Sequence, residues 1–179
     1  MSTSKMQVAH DEFQAHMLQD VSRSFALTIP QLPVPLVRPV ANAYLMCRIV
    51  DTIEDDAGLT IHRKQDFFET FGRVLNGETS AEQFATALFP LLSDSTLPAE
   101  HELIRQSPTV VQIFTELNEL QQAEIKRCVK TMSDGMLQFQ AMQNPDGLET
   151  LTQMNDYCYY VAGVVGEMLM TIIKPLKLS

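Results

Sequence analysis

The stretch LVRPVANAYLMCRIVDTIEDD, residues 36–56, decides the fold class. Its first two thirds are apolar on nearly every side of a helical wheel, the pattern of a buried helix. Pro39 is tolerable only near the start of such a helix, and Gly58 is a plausible stop. One polar stripe interrupts the apolar surface. Tyr44, Arg48, Asp51 and Asp55 follow at spacings of four, three and four residues, so they stack on a single face. A buried helix with one charged stripe needs something polar opposite it.

Four carboxylates, Asp51, Glu54, Asp55 and Asp56, fall within six residues at the helix end. Two such charges about 6 Å apart repel by roughly 3 kcal/mol at an effective dielectric near 20. The helix dipole disfavours each by a further ~0.3–1 kcal/mol. Local propensity does not account for the cluster, whereas a bound cation does. Oxygen ligands with no His or Cys among them fit a hard ion such as Mg²⁺, which keeps waters and shares the phosphate of a ligand. The plain alternative, a solvated acidic helix end, stays open on these residues alone.

Outward from this segment, helical signals recur and strand signals do not. No run alternates apolar and polar residues over a useful length. Helices are expected over residues 10–21, over 36–56, and from a Thr60 cap to Asn76-Gly77. Ser80-Ala-Glu-Gln83 fits a capping box, and Pro98 and Pro108 each sit where a helix could begin. A long amphipathic helix is expected over 116–142, with Leu120, Cys128, Met132, Met136 and Phe139 on or near one face. Asn144-Pro-Asp-Gly147 reads as a turn, and a last helix over 148–173 ends at Pro175. No repeat or linker divides the chain, so residues 1–179 read as one domain.

Composition narrows the function classes. The chain has 45% hydrophobic residues, too many for a disordered protein. Its net charge of −9 argues against nucleic-acid binding. Cys47, Cys128 and Cys158 lie within apolar helical patterns, which suits reduced, buried thiols in a cytoplasmic protein. The opening MSTSKMQVAHDEF has no apolar core and so does not read as a secretory leader. Residues 161–173 are too short to span a bilayer, which leaves only peripheral contact with a membrane.

Three further segments carry candidate chemistry. Ser22-Arg23-Ser24-Phe25 could grip a phosphate through its guanidinium and hydroxyls, or be an ordinary helix end with Ser24 as the cap. Arg48 could add a phosphate contact, or hold Asp51 in an ion pair. In DYCYYVAGVVG, residues 156–166, tyrosine faces could stabilise a carbocation, or simply pack in a core. Gly163 and Gly166 each cost about 1 kcal/mol in a helix, which suggests close packing or room for a ligand. Met132, Met136 and Phe139 read as plain core or as an apolar tunnel wall. The four histidines, His10, His16, His62 and His101, show no ligand spacing and fit surface or capping positions.

Taken together, SRSF (22–25), YLMCRIVDTIEDD (44–56), MSDGMLQF (132–139) and DYCYYVAGVVG (156–166) resemble the squalene/phytoene synthase family, most closely its bacterial squalene and dehydrosqualene synthases. The resemblance implies an all-α isoprenoid-synthase bundle around a central cavity. It implies that Asp51 and Asp55, with Glu54, form the first aspartate-rich motif and hold Mg²⁺ against a substrate diphosphate. Ser22, Arg23, Ser24, Phe25, Tyr44 and Arg48 match substrate-binding positions, and Tyr157 matches a catalytic tyrosine. The implied reaction joins two farnesyl diphosphates head to head through presqualene diphosphate, with NADPH used where the product is squalene. The family's second aspartate-rich motif lies beyond the VAGVVG segment, and the tail EMLMTIIKPLKLS holds no DxxxD. The chain therefore reads as the N-terminal part of such an enzyme, or as a truncated member that binds diphosphate or a partner subunit without turnover.

Overall fold

A computed structural model describes residues 3–142 and 147–175. Among these the regular structure is entirely helical. In chain order the elements are α1 (Thr3–Val21), α2 (Phe25–Thr28), a 3₁₀ turn (Ile29–Gln31), α3 (Val34–Asp55), α4 (Ile61–Leu75), α5 (Ala81–Leu88), a second 3₁₀ turn (Phe89–Leu91), α6 (Pro98–Arg105), α7 (Ser107–Thr115), α8 (Glu119–Met142), α9 (Leu151–Cys158), a π-helical segment (Tyr159–Gly163) and α10 (Val164–Ile173).

The apolar helix of the central segment sits in the middle, as its sequence requires. Leu45, Met46, Ile49, Val50 and Ile53 of α3 have no accessible surface. Helices α1, α4, α6, α7, α8 and α10 pack around it. Asn42, a polar side chain buried with them, donates from Nδ2 to the Val110 carbonyl at 2.9 Å and ties α3 to α7. Helix α3 starts two residues earlier than expected, with Pro35 in its first turn, so Pro39 falls in its second turn.

Caps explain most of the other boundaries. The Thr60 side chain accepts from Arg63 N, and Ser80 Oγ accepts from Gln83 N. Helix α8 begins three residues later than its apolar pattern suggests. Asn118 Oδ1 accepts from Gln121 N at 3.0 Å while Gln121 returns a contact to Asn118 N, a reciprocal cap that periodicity alone does not reveal. Helix α1 runs well beyond residue 10 toward the N-terminus, since extending a formed helix costs little.

The last helix departs most from expectation. Residues 151–173 are helical, but five of them, Tyr159–Gly163, are wound as a π-helix. The extra residue of a π-turn rotates everything after it, so a wheel drawn over the whole stretch misplaces α10. The expected turn at Asn144-Pro-Asp-Gly147 lies outside the described residues except for Gly147, whose φ of +88° is a conformation that glycine adopts readily. Cys47 and Cys128 are buried free thiols, but Cys158 is exposed, contrary to its apolar sequence setting. Leu120 is likewise exposed, whereas Met132 and Met136 belong to the core. His10 is buried rather than superficial, with Nδ1 3.0 Å from Glu116 Oε1. No helix among the described residues is long and apolar enough to cross a membrane.

Candidate functional site

The four acids at the end of α3 separate into two groups. Asp56 is 1% exposed and faces away from the others. Its Oδ1 accepts from Gly58 N at 2.8 Å and Leu59 N at 3.1 Å. Its Oδ2 accepts from Ser93 N at 2.8 Å, Ser93 Oγ at 3.1 Å and Thr96 Oγ1 at 2.6 Å. Burial pushes this carboxyl up, but the Thr96, Ser93 and Gly58 donors outweigh it and hold it below the ordinary aspartate value. Asp56 is thus a structural tie between the α3–α4 turn and the segment before α6.

Asp51, Glu54 and Asp55 remain together. Asp51 and Glu54 are half-buried and Asp55 is exposed. Burial, opposed by Arg48 and reinforced by the charges of Asp55 and Glu54, pushes Asp51 up to about 6. Burial and the neighbouring Asp55 also raise Glu54, against the pull of Gln140 and Lys64. Both partners of Glu54 come from other helices. Gln140 of α8 donates to the Glu54 carbonyl at 2.9 Å and to Oε1 at 2.7 Å, and Lys64 of α4 donates to the same carbonyl. Acids that crowd together and sit half-buried leave negative charge without full compensation.

The rest of the stripe follows the expected order. Arg48 is held on one side by Glu100 of α6, and its Nη1 lies 3.6 Å from Asp51 Oδ2. Burial lowers Arg48, but Glu100 and then Asp51 more than offset this and keep it firmly charged. One helical turn earlier, Tyr44 donates to the Val21 carbonyl at 3.5 Å and meets the Phe25 ring at 5.0 Å between centroids. The SRSF segment is therefore brought to the stripe through Phe25. Its cap differs from expectation: Ser22 Oγ, not Ser24, accepts from Phe25 N at 3.1 Å, and the Ser24 side chain caps nothing. Arg23 is exposed and has no ion pair among the described residues.

Helix α9 brings Tyr157 to the acids. Burial first, then the charges of Glu54, Asp55 and Asp51, push its phenol above the ordinary value. Phe139 of α8 packs edge-on against it at 5.4 Å. Tyr159 turns outward instead and donates to Glu167 Oε2 at 3.2 Å. The contributions of Glu100, Lys64 and Gln140 were not legible in the sequence. Glu100 lies 52 residues after Arg48, and Lys64 and Gln140 lie 10 and 86 residues after Glu54, with no local motif to mark them.

No three His, Cys, Asp or Glu side chains among the described residues gather closely enough to hold a metal by themselves. Asp51, Glu54 and Asp55 nevertheless fit a hard cation in their donor atoms and in their uncompensated charge. Such an ion would complete its shell with water and ligand oxygens, as Mg²⁺ ordinarily does. Two hollows among the described residues lie elsewhere, one of about 530 Å³ between α4 and α8 and one of about 240 Å³ between α1 and α3.

The squalene/phytoene synthase profile matches residues 18–176, which takes in every segment of this face. The chain belongs to the squalene/phytoene synthase family. It is 35% identical over 158 residues to squalene synthase BSS of Botryococcus braunii, covering 86% of this chain and 31% of that protein. It is 35% identical over 150 residues to the squalene synthase of Solanum lycopersicum, covering 84% and 33%. Lycopaoctaene synthase of Botryococcus braunii is 32% identical over 154 residues. The solved structure of TcSQS with the ligand BPH1237 superposes with a TM-score of 0.71 at 28% identity, over 96% of this chain and 46% of that one. The all-α fold of this squalene/phytoene synthase family member is thus that of the isoprenoid synthases, and the chain spans about a third of the length of the curated relatives it matches.

Proposed function

We propose that the acid face of α3 binds the diphosphate of an isoprenoid substrate through Mg²⁺, and that the chain serves the head-to-head joining of two farnesyl diphosphates. The observation that carries this reading is the gathering of Asp51, Glu54 and Asp55 with Arg48 and Tyr157 on one half-buried face, with Asp51 raised to about 6. Asp51, Glu54 and Asp55 would hold the metal, which when bound supplies charge neutralisation to a diphosphate leaving group. Arg48 and Arg23 would meet phosphate oxygens, a role suited to a planar guanidinium. Phe25 and Tyr44 would border the diphosphate end. The Tyr157 and Phe139 rings would face the allylic carbon, where an aromatic surface stabilises positive charge and excludes water.

In the reaction so proposed, the C–O bond of one farnesyl diphosphate breaks and its electron pair leaves with diphosphate. The double bond of the second then attacks the allylic cation and loses a proton in closing the cyclopropane of presqualene diphosphate. Reduction onward to squalene would require NADPH. The likeness to lycopaoctaene synthase, nearly equal to that of the squalene synthases, means that the final hydrocarbon is a separate question.

Incubating the purified chain with farnesyl diphosphate and Mg²⁺ and measuring released diphosphate tests this. Release that disappears in Asp51→Asn and Asp55→Asn is the expected result. The chain's match to only about a third of its relatives' length favours a second reading, binding without turnover, for which the same incubation shows Mg²⁺-dependent stabilisation but no release. Neither stabilisation nor release would remove both readings and leave a solvated acidic patch.

A further inference from the structure

The two helices that reach Glu54 also form the walls of the larger of the two hollows, whose lining includes none of Asp51, Glu54 and Asp55. Lys64 near the start of α4 and Gln140 near the end of α8 meet the same residue, so the two helices run antiparallel from a common level. From that level Arg73 lies nine residues along α4 and Lys130 ten residues back along α8, rises of about 14 and 15 Å. Asn76 and Lys126 follow at about 18 and 21 Å. The groove of about 530 Å³ thus begins near the acid level and ends in a cationic cluster of Arg73, Lys126 and Lys130. Its size lies within the range of ~300–1,000 Å³ typical of small-molecule sites.

Its floor is apolar. Phe68, Leu75 and Val129 line it, and Gly72 leaves open space where any side chain would stand. The acids in its wall are already engaged: Glu69 Oε1 accepts from Gln65 at 3.1 Å, and Asp134 pairs with Lys130 at 2.8 Å. Arg73 donates to Thr70 Oγ1 at 3.1 Å, and the Lys126 ammonium lies 5.9 Å from the centre of the Phe114 ring. Neither cation has a carboxylate partner among the described residues, in a chain with 22 acids and 13 bases.

We propose that this groove binds a single-chain anionic amphiphile, its hydrocarbon tail on Phe68, Gly72 and Val129 and its phosphate-type head against Arg73 and Lys126. The tail finds the apolar floor, and the head finds two cations that have no carboxylate partner among the described residues. A dissolved amphiphile suits the groove better than a bilayer surface, because the apolar side chains are recessed between helices rather than projecting outward. The site is separate from the acid face of α3 and does not depend on the function proposed for it.

Isothermal titration with dodecyl phosphate, kept below its micelle concentration, tests the inference on the whole chain. Inorganic phosphate and dodecyl maltoside serve as head-only and tail-only controls, each expected to bind at least about tenfold more weakly. Arg73→Glu combined with Lys126→Glu is expected to weaken dodecyl phosphate about tenfold or more, with Arg73→Glu alone, at an exposed position, weakening it without touching the core. Gly72→Leu, which fills the floor, is expected to do the same. Asp51→Asn is expected to leave the affinity unchanged. Equal affinity in the double variant, or loss confined to Asp51→Asn, would overturn the proposal. So would binding seen only with phosphatidylglycerol vesicles and not with the monomeric amphiphile.

Discussion

Arg48 stands between two carboxylates, with Nη2 on Glu100 and Nη1 3.6 Å from Asp51. Glu100 is the better buried of the two, and its second oxygen accepts from Leu97 N at 3.2 Å, so one side chain both starts α6 and fixes the guanidinium. Removing it deprives a half-buried arginine of its firmest partner and frees the first turn of α6. Glu100→Ala should cost about 1–3 kcal/mol, and Glu100→Gln less, because the amide retains hydrogen bonding. Urea midpoints at unchanged slope measure both. Identical midpoints for wild type and Glu100→Ala would show that the pair contributes nothing to the fold.

Asp51 ties stability to pH in a direction opposite to that of most native carboxylates. Its folded value of about 6 lies above the ordinary value of 3.8, so between these the folded chain binds more protons than the unfolded chain. Stability from this group is therefore present at about pH 4 and lost as the pH rises toward 6. Its side chain is 31% exposed, and after solvent screening the loss should be about 1–2 kcal/mol. Asp51→Asn should flatten this part of the stability curve. Mg²⁺ with diphosphate should flatten it too, because a bound cation favours the ionised form. A wild-type curve that rises smoothly from pH 4 to 6, with no contribution removed by Asp51→Asn, contradicts this.

Adjacent acids should behave as opposites. Asp56 is buried with five hydrogen bonds, so Asp56→Ala strands several donors and should cost about 2–4 kcal/mol. Its lowered value gives stability that is present at neutral pH and lost as the pH falls through it, a slope that Asp56→Asn should reduce. Asp55 is exposed, and Asp55→Asn should change stability by no more than about 0.5 kcal/mol while abolishing any Mg²⁺-dependent stabilisation by a farnesyl diphosphate analogue. Thermal melts with and without the analogue separate the two effects. A destabilised Asp55→Asn together with an unaffected Asp56→Ala would reverse the assignment.

What the sequence disclosed about this site follows the range of each interaction. The stripe Tyr44, Arg48, Asp51 and Asp55 was legible because helical spacing alone sets it, and the buried run before it made a lone charged face conspicuous. The division of labour between Asp55 and Asp56 was not, because it depends on where α3 ends. That end is fixed by donors from Ser93 and Thr96, some 40 residues away. Glu100, Lys64 and Gln140 were invisible for the same reason. The π-turn at Tyr159–Gly163 is not legible in the sequence, because one inserted residue leaves composition unchanged and shifts only the phase of the apolar pattern.

That shift of phase also decides which glycine matters. Gly163 and Gly166 drew notice in the sequence, yet a β-carbon at Gly166 meets nothing within 4 Å, and at Gly163 it meets only the Tyr159 ring of its own helix, at 2.9 Å. The close approach is at Gly135 of α8, where a β-carbon would overlap the Tyr160 ring, carried there by the π-segment. Alanine in a helix is worth about 1 kcal/mol over glycine, so Gly166→Ala should stabilise the chain by up to that amount. At Gly135 the same gain is opposed by steric overlap between α8 and the Tyr160 ring, which meets Phe139 at a tilt, 6.2 Å between centroids, beside Tyr157. Forcing an extra methyl into packed surroundings costs about 1–3 kcal/mol, and with the ring's own side fixed by Phe139 the net effect of Gly135→Ala should be destabilising. Paired melts of the two variants read the difference directly. A stabilised Gly135→Ala would mean that Tyr160 swings aside freely, and that the π-segment does not lock α9 onto α8.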